Sequence, residues 1–186
     1  MSATYRNENE SILYSKEDIV LRKHNKTYNL IFNVKNQHIF IQKIIDFNFV
    51  KLIYDLNSDI YERVSLHKLN ENQATILILM KDLFDDLGIP QQYIYGNLYR
   101  YDDNQNNISF TLNTIKERNI PDIPDEAEQK LIENIKYNCI HITPHESQFN
   151  IQFELFHMIP IVEKMITTII IKMFKRVKQF IENVRV

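Results

Sequence analysis

Apolar and polar residues alternate along the first quarter of the chain. Across residues 28–34 every second residue is apolar, which is the period of a strand with one buried face. Polar residues suited to turns flank this run at 24–26 and 35–37. Residues 17–45 are therefore predicted to form a three-stranded antiparallel meander whose third strand covers residues 38–45.

Two further pairs of strand-like runs are predicted to form hairpins. Residues 92–101 and 107–115 are separated by a short polar connection that contains two aspartates and two asparagines. Residues 137–143 and 148–158 are separated by a connection that begins with Pro144. Antiparallel pairing is expected in both hairpins because such short connections cannot join parallel neighbours.

Apolar residues have helical spacing in the middle and at the end of the sequence, which predicts helices there. Residues 71–87 carry a wide apolar stripe that ends just before Gly88, a residue suited to a helix C-terminus. Residues 161–184 keep a spacing of three or four throughout, which predicts one long amphipathic helix. Residues 46–69 are predicted to form one bent helix or two short ones, with a strand at 60–66 as the alternative.

These elements predict an α+β fold in which helices pack on one face of antiparallel sheet. The 186 residues fit a single domain over 12–186, preceded by a flexible polar N-terminus at 1–11. A possible internal boundary lies near 116–124, where two prolines limit regular structure, and a short helix is predicted to begin at Asp125.

The composition excludes several classes of protein. With 2 Gly, the chain cannot contain the phosphate-binding loop, the dinucleotide fingerprint or the nucleophile elbow, all of which need several glycines. It holds 29 Ile and 20 Asn against 3 Ala, a bias typical of AT-rich genomes such as those of large DNA viruses. Disordered and disulfide-rich classes are excluded by 44% hydrophobic residues and a single cysteine.

The sequence predicts an intracellular protein without a membrane span. Its N-terminus lacks an apolar signal segment, and its most apolar stretch, residues 161–177, contains five charged side chains. A reducing cytoplasmic compartment is expected for the free thiol of Cys139, and the nucleus or a virion stays open as an alternative.

Cys139, His141 and His145 form the best candidate metal site. On a strand Cys139 and His141 point to the same side, and His145 lies in the turn that follows. These ligand types could hold zinc, or serve an enzyme as nucleophile and base. The alternative is a strand with a buried cysteine followed by a polar turn, in which case no cofactor is bound.

The tyrosines of the first hairpin form a candidate aromatic platform. Tyr93, Tyr95, Tyr99 and Tyr101 share one face of the predicted strand, as do aromatic side chains that stack on unpaired bases. The alternative is a structural role, since tyrosine favours strands in any case.

The final helix carries the clearest charge asymmetry. Residues 161–186 contain six basic and two acidic residues, whereas the whole chain has a formal charge of −2. Four of the cations, Lys172, Lys175, Arg176 and Lys178, are the candidate site for nucleic acid or another anionic partner. The alternative is an ordinary core helix with a solvated basic face.

Three hypotheses for function follow from these features. The first is a non-enzymatic protein-binding or assembly protein, viral or from another AT-rich genome, that binds a partner or itself through the final helix. The second is a nucleic-acid-associated accessory factor that uses the same helix. The third is an enzyme or a zinc protein using Cys139, His141 and His145. These features leave open whether a small-molecule ligand is bound.

Overall fold

Ten strands of the described residues join in one sheet, and two α-helices pack on one of its faces. This computed structural model describes residues 10–83, 85–104, 106–116, 120, 123–129, 135–155 and 160–185. The strands are β1 (Glu10–Lys16), β2 (Ile19–His24), β3 (Thr27–Lys35), β4 (Tyr61–Lys68), β5 (Gln73–Met80), β6 (Gln92–Asn104), β7 (Asn107–Thr114), β8 (Glu128–Gln129), β9 (Ile135–Thr143) and β10 (Glu146–Glu154). The helices are α1 (Phe47–Asp55) and α2 (Pro160–Asn183), with short 3-10 helices at Ile41–Ile44 and Asp85–Leu87.

The strand order is β1-β2-β3-β10-β9-β7-β6-β5-β4, and all of these neighbours are antiparallel. The two-residue strand β8 pairs in parallel with β6. The β9–β10 hairpin lies between the N-terminal meander and the β4–β7 strands, so it joins the two halves of the sheet. The predicted α+β architecture, with a meander, two hairpins and a long final helix, is confirmed.

One apolar core lies between the sheet and the helices. Tyr28, Leu30, Phe32 and Val34 alternate along β3 and are almost fully buried, as the sequence pattern requires. The ring of Phe32 stacks on that of Phe149 from β10 and also packs against Phe174 from α2. Phe47 and Phe49 of α1 contact Phe110 and Phe149. Both helices therefore cover the same face, called here the inner face.

The prediction of a helix over residues 71–87 is wrong. Residues 73–80 form β5, and the 3-10 helix Asp85–Leu87 follows. Four consecutive residues of β5 are buried, because both faces of this strand are covered: Ile76, Leu77, Ile78 and Leu79. A strand buried on both faces loses its alternation, and its apolar run then resembles the stripe of a buried helix.

Two other predicted elements differ in the structure. The meander is made of β1, β2 and β3, whereas residues 38–45, predicted as a strand, contain the 3-10 helix Ile41–Ile44. Residues 46–69 are divided between α1 and β4, so the alternative of a strand after a single short helix is the correct one. Asp46 caps α1, because its Oδ1 accepts the backbone N–H of Phe49 at 3.0 Å.

The region around the predicted internal boundary is only partly described. The helix expected from Asp125 is wrong where it can be compared, since Glu128–Gln129 form β8. Residues 130–134 lie outside the described part of the chain, as do 117–119 and residues 1–9 of the N-terminal segment 1–11 that was predicted to be flexible.

The long final helix is confirmed as α2 (Pro160–Asn183). Its apolar stripe faces the sheet, and Met173, Phe174, Val177 and Ile181 are its most closely packed residues in the C-terminal half. Among the helices of the described residues, none has the length and apolar character needed to span a bilayer.

Candidate functional site

An apolar cavity of about 100 Å³ lies on the inner face, beneath the middle turns of α2. The helix contributes its sheet-facing side chains Ile166, Ile169, Ile170, Met173 and Phe174 to the lining. The sheet contributes apolar side chains of four strands, namely Met80, Ile94, Ile135, Ile151 and Phe153. The cavity exists because the helix bridges these strands without filling the space between them.

Three tyrosines provide hydroxyl groups in the lining of the cavity. Tyr54 lies in the last turn of α1, Tyr61 begins β4 and Tyr137 lies on β9. The hydroxyls of Tyr54 and Tyr137 are hydrogen-bonded to each other, and the Tyr61 hydroxyl donates to Sδ of Met173 at 3.3 Å. Burial raises the pKa of Tyr54 and of Tyr137, so both phenols stay protonated and uncharged near neutral pH.

The start of α2 is fastened across the sheet by one carboxylate. Oε1 of Glu163 accepts hydrogen bonds from Nζ of Lys23 at 2.6 Å and from the hydroxyl of Tyr28 at 2.5 Å. These two donors lower the pKa of Glu163, which is therefore ionised at neutral pH. The contact, called here the Glu163 latch, holds the N-terminal half of the helix against β2 and β3.

The end of α2 is fastened more firmly by a buried amide. Nδ2 of Asn36, which follows β3, donates to the carbonyl oxygens of Ile181 at 2.6 Å and Val184 at 2.7 Å. Carbonyl groups at a helix C-terminus lack hydrogen-bond donors within the helix, and the Asn36 amide supplies a donor to two of them. The helix is consequently anchored at its C-terminal end and held by a partly exposed ion pair at its start.

The four basic residues predicted to bind an anionic partner lie on α2, and each contacts a group of this chain. Arg176 and Lys172 both form ion pairs with Asp59, and Nζ of Lys172 lies 3.1 Å from its carboxylate. These two cations hold the pKa of Asp59 well below its usual range. Lys175 pairs with Glu17 at 2.9 Å. Lys178 pairs with Glu182 at 2.5 Å. These acidic partners reduce the positive field on which binding of a polyanion would depend.

The predicted aromatic platform lies on the face of the sheet opposite the cavity. Tyr93, Tyr95 and Tyr99 are half-buried there, and Tyr101 is exposed. Tyr93 and Tyr95 stand next to Leu79 and Leu77 of β5, two residues that are buried on this outer face. The first two tyrosines thus pack beside apolar neighbours.

Of the three predicted metal ligands, Cys139 and His141 stay together, with Sγ and Nδ1 3.9 Å apart, whereas His145 makes its contacts elsewhere. Cys139 and His141 are buried on the inner face, where Nδ1 of His141 is 2.8 Å from Oγ of Ser147. Burial raises the pKa of the Cys139 thiol to about 12, so the thiolate that a metal or a nucleophile requires is scarce at neutral pH. Nδ1 of His145 instead donates to the carbonyl oxygen of Ile39 at 2.9 Å. Among the residues described, no three His, Cys, Asp or Glu side chains are close enough to hold a metal ion.

The residues that line the cavity were missed because each is an ordinary core residue in sequence. They come from α1, α2 and five strands that lie far apart along the chain. Alternation correctly marks Ile151 and Phe153 as inward-facing, yet it does not reveal which inward-facing residues border an unfilled space.

Comparison with solved structures finds the same arrangement of sheet and helices in other proteins. Human StAR-related lipid transfer protein 5 superposes with a TM-score of 0.69 at 10% identity, over 96% of this chain and 90% of that one. A human lipid transfer and protein localization domain gives 0.70 at 7% identity, over 95% and 90%. A StAR-related lipid transfer protein from Xanthomonas axonopodis gives 0.66 at 8% identity, over 94% and 99%. No protein-family model and no curated protein match the sequence.

These comparisons correct the function predicted from the sequence. The matched structures are named for lipid transfer and come from human and bacterial sources, not from viral assembly proteins or nucleic-acid factors. The prediction failed because it relied on the charge of α2, whose cations are matched by acids of the same chain. With identities of 7–10% over nearly the whole length, the finding that stands is that the chain has the fold of StAR-related lipid-transfer domains.

Proposed function

We propose that the protein binds an apolar small molecule of the lipid class in the cavity beneath α2. The observation that carries the proposal is the lining, in which isoleucine, methionine and phenylalanine side chains from the sheet and the helix enclose the space. Ligand sites of this kind are mostly apolar with a few polar groups that fix orientation. The names of the proteins that share the fold support the same class of ligand.

The size of the cavity implies that α2 moves when a ligand enters. The cavity measures about 100 Å³, whereas pockets for ligands of drug size occupy roughly 300–1,000 Å³. The N-terminal half of the helix is the part that can shift, since Ile166, Ile169 and Ile170 are only half-buried there. The C-terminal half is fixed by Asn36 and by the buried residues Phe174 and Ile181.

Filling the cavity should abolish binding. We expect Ile170→Trp to weaken the affinity for Nile red, a neutral apolar dye, by about tenfold or more, because the indole occupies the space meant for the ligand. The measurement is a fluorescence titration, followed by mass spectrometry of organic extracts after incubation with vesicles of a total lipid extract. Wild-type protein should carry lipid out of the vesicles and the variant should not.

The matched control is Ile161→Trp, which places the same side chain on the same helix at a residue that is 61% exposed. It should bind Nile red as the wild type does. The proposal would be contradicted if Ile170→Trp bound Nile red as tightly as the wild type does. It would also be contradicted if organic extracts of the wild type held no more lipid than extracts of Ile170→Trp.

Weakening the Glu163 latch should speed exchange of the ligand. Glu163→Gln keeps the shape of the side chain but removes the charge that attracts Lys23, a partly exposed ion pair worth up to about 1 kcal/mol. We expect Nile red to dissociate about two- to fivefold faster in stopped-flow measurements. The control is Glu182→Gln, since Glu182 pairs with Lys178 within α2 and does not cross to the sheet. Identical dissociation rates in Glu163→Gln and wild type would show that the latch does not limit exchange.

We also propose that the protein is located in the cytoplasm. The buried free thiol of Cys139 is compatible with the reducing cytoplasmic environment expected from the sequence.

A further inference from the structure

The hydroxyls of Tyr54 and Tyr137 together carry two protons that can be donated, but the hydrogen bond between them uses only one. The second proton has no acceptor among the described residues, although both side chains are more than nine-tenths buried. A buried donor without an acceptor is unfavourable, so the site favours an incoming oxygen that can accept this proton.

The remaining lining residues do not favour a charged group. Of the described residues that line the cavity, none is lysine, arginine or histidine, and the single ionisable acid is Glu154. Oε1 of Glu154 lies 3.4 Å from Oγ1 of Thr27. A carboxylate or phosphate entering the cavity would lose its hydration, meet no cation and approach an acid, which is strongly unfavourable.

We propose that the ligand is an uncharged lipid whose one polar group is a hydroxyl or a carbonyl oxygen, held by the Tyr54–Tyr137 pair. This inference rests on the proposed function and narrows its ligand class. The apolar body of the molecule lies against α2 and the inner face of the sheet, and its oxygen accepts the spare phenolic proton. Buried phenols whose pKa is raised remain donors over the whole physiological range. Fatty acids and phospholipids are disfavoured by the same lining.

The test compares four competitors of equal chain length for displacement of Nile red: a long-chain alcohol, the corresponding methyl ester, the fatty acid and the hydrocarbon. At neutral pH we expect the fatty acid to bind at least about tenfold more weakly than the alcohol, because its charge finds no partner. The alcohol and the ester distinguish a hydroxyl from a carbonyl as the preferred acceptor, and tight binding of either supports the inference.

The variant that isolates the polar contact is Tyr54→Phe combined with Tyr137→Phe. Removing both hydroxyls keeps the ring packing and leaves neither partner unsatisfied, so the fold should persist. A single substitution would leave one donor able to reach the ligand. In the double variant the ratio of alcohol affinity to hydrocarbon affinity should fall about tenfold, the loss of one hydrogen bond. Tyr99→Phe, on the outer face, is the control and should leave the ratio unchanged.

An unchanged affinity ratio in the double variant would overturn the inference, as would binding of the fatty acid as tight as that of the alcohol. Neither result would contradict the proposed function, because in both cases an apolar molecule would still bind in the cavity. Failure of all four competitors to displace Nile red from wild-type protein would overturn the proposed function together with this narrower claim.

Discussion

Replacing Asn36 with aspartate is expected to lower the free energy of unfolding by about 3–5 kcal/mol, the cost of leaving a buried charge without a partner. Asn36 is 2% exposed and its Nδ2 donates to the two helix carbonyls of Ile181 and Val184. Its Oδ1 accepts the backbone N–H of His38 at 2.7 Å. An aspartate keeps the acceptor but cannot donate, so a carboxylate oxygen would face two carbonyl oxygens.

Urea denaturation followed by circular dichroism measures this loss. Asn33→Asp serves as the control, because Asn33 is an exposed residue of β3, the strand that Asn36 follows, and its effect should stay within about 0.5 kcal/mol. A midpoint for Asn36→Asp equal to that of Asn33→Asp would show that the end of α2 does not depend on this amide.

Truncating Phe32 to alanine is expected to cost about 3–5 kcal/mol of stability, as for other large aromatic residues removed from a core. Phe32 is 1% exposed. Its ring lies 5.1 Å from that of Phe149 and 5.8 Å from that of Phe174, so it links β3, β10 and α2. Its loss leaves a void at the point where the helix meets the two strands.

The same denaturation experiment checks this result. Phe40→Ala is the matched control, since Phe40 is 48% exposed and should lose far less stability. Phe32→Leu, which retains most of the apolar volume, should fall between alanine and wild type. Equal losses for Phe32→Ala and Phe40→Ala would mean that the three elements are not coupled through this ring.

Elements with one buried face were predictable from the sequence. The alternation of Tyr28, Leu30 and Phe32 identifies β3, and the three-four spacing from Val162 to Val177 identifies α2, because in each case the opposite face meets solvent. The strand β5 was not predictable from periodicity, since both of its faces are covered. Its β-branched residues Thr75, Ile76 and Ile78 favour a strand, but the same run also has the spacing of a helical apolar stripe.

The cavity could not be predicted from the sequence for a different reason. It is a property of how closely α2 approaches the sheet, and that distance depends on all the side chains between them. The charges of α2 misled in a comparable way, because Asp59 and Glu17, which balance Arg176 and Lys175, belong to distant parts of the chain. The tyrosine pair is likewise assembled from residues 83 positions apart.

The pairing of β3 with β10 has a consequence for synthesis on the ribosome. β3 bonds along its whole length to a strand made about 110 residues later, with Thr27 opposite Glu154 and Lys35 opposite Glu146. A nascent chain therefore carries an open strand edge for most of translation, and edges of this kind associate readily with other chains. Closing so long a loop is slow, so this edge stays open to such association until β10 has been made and has paired with β3.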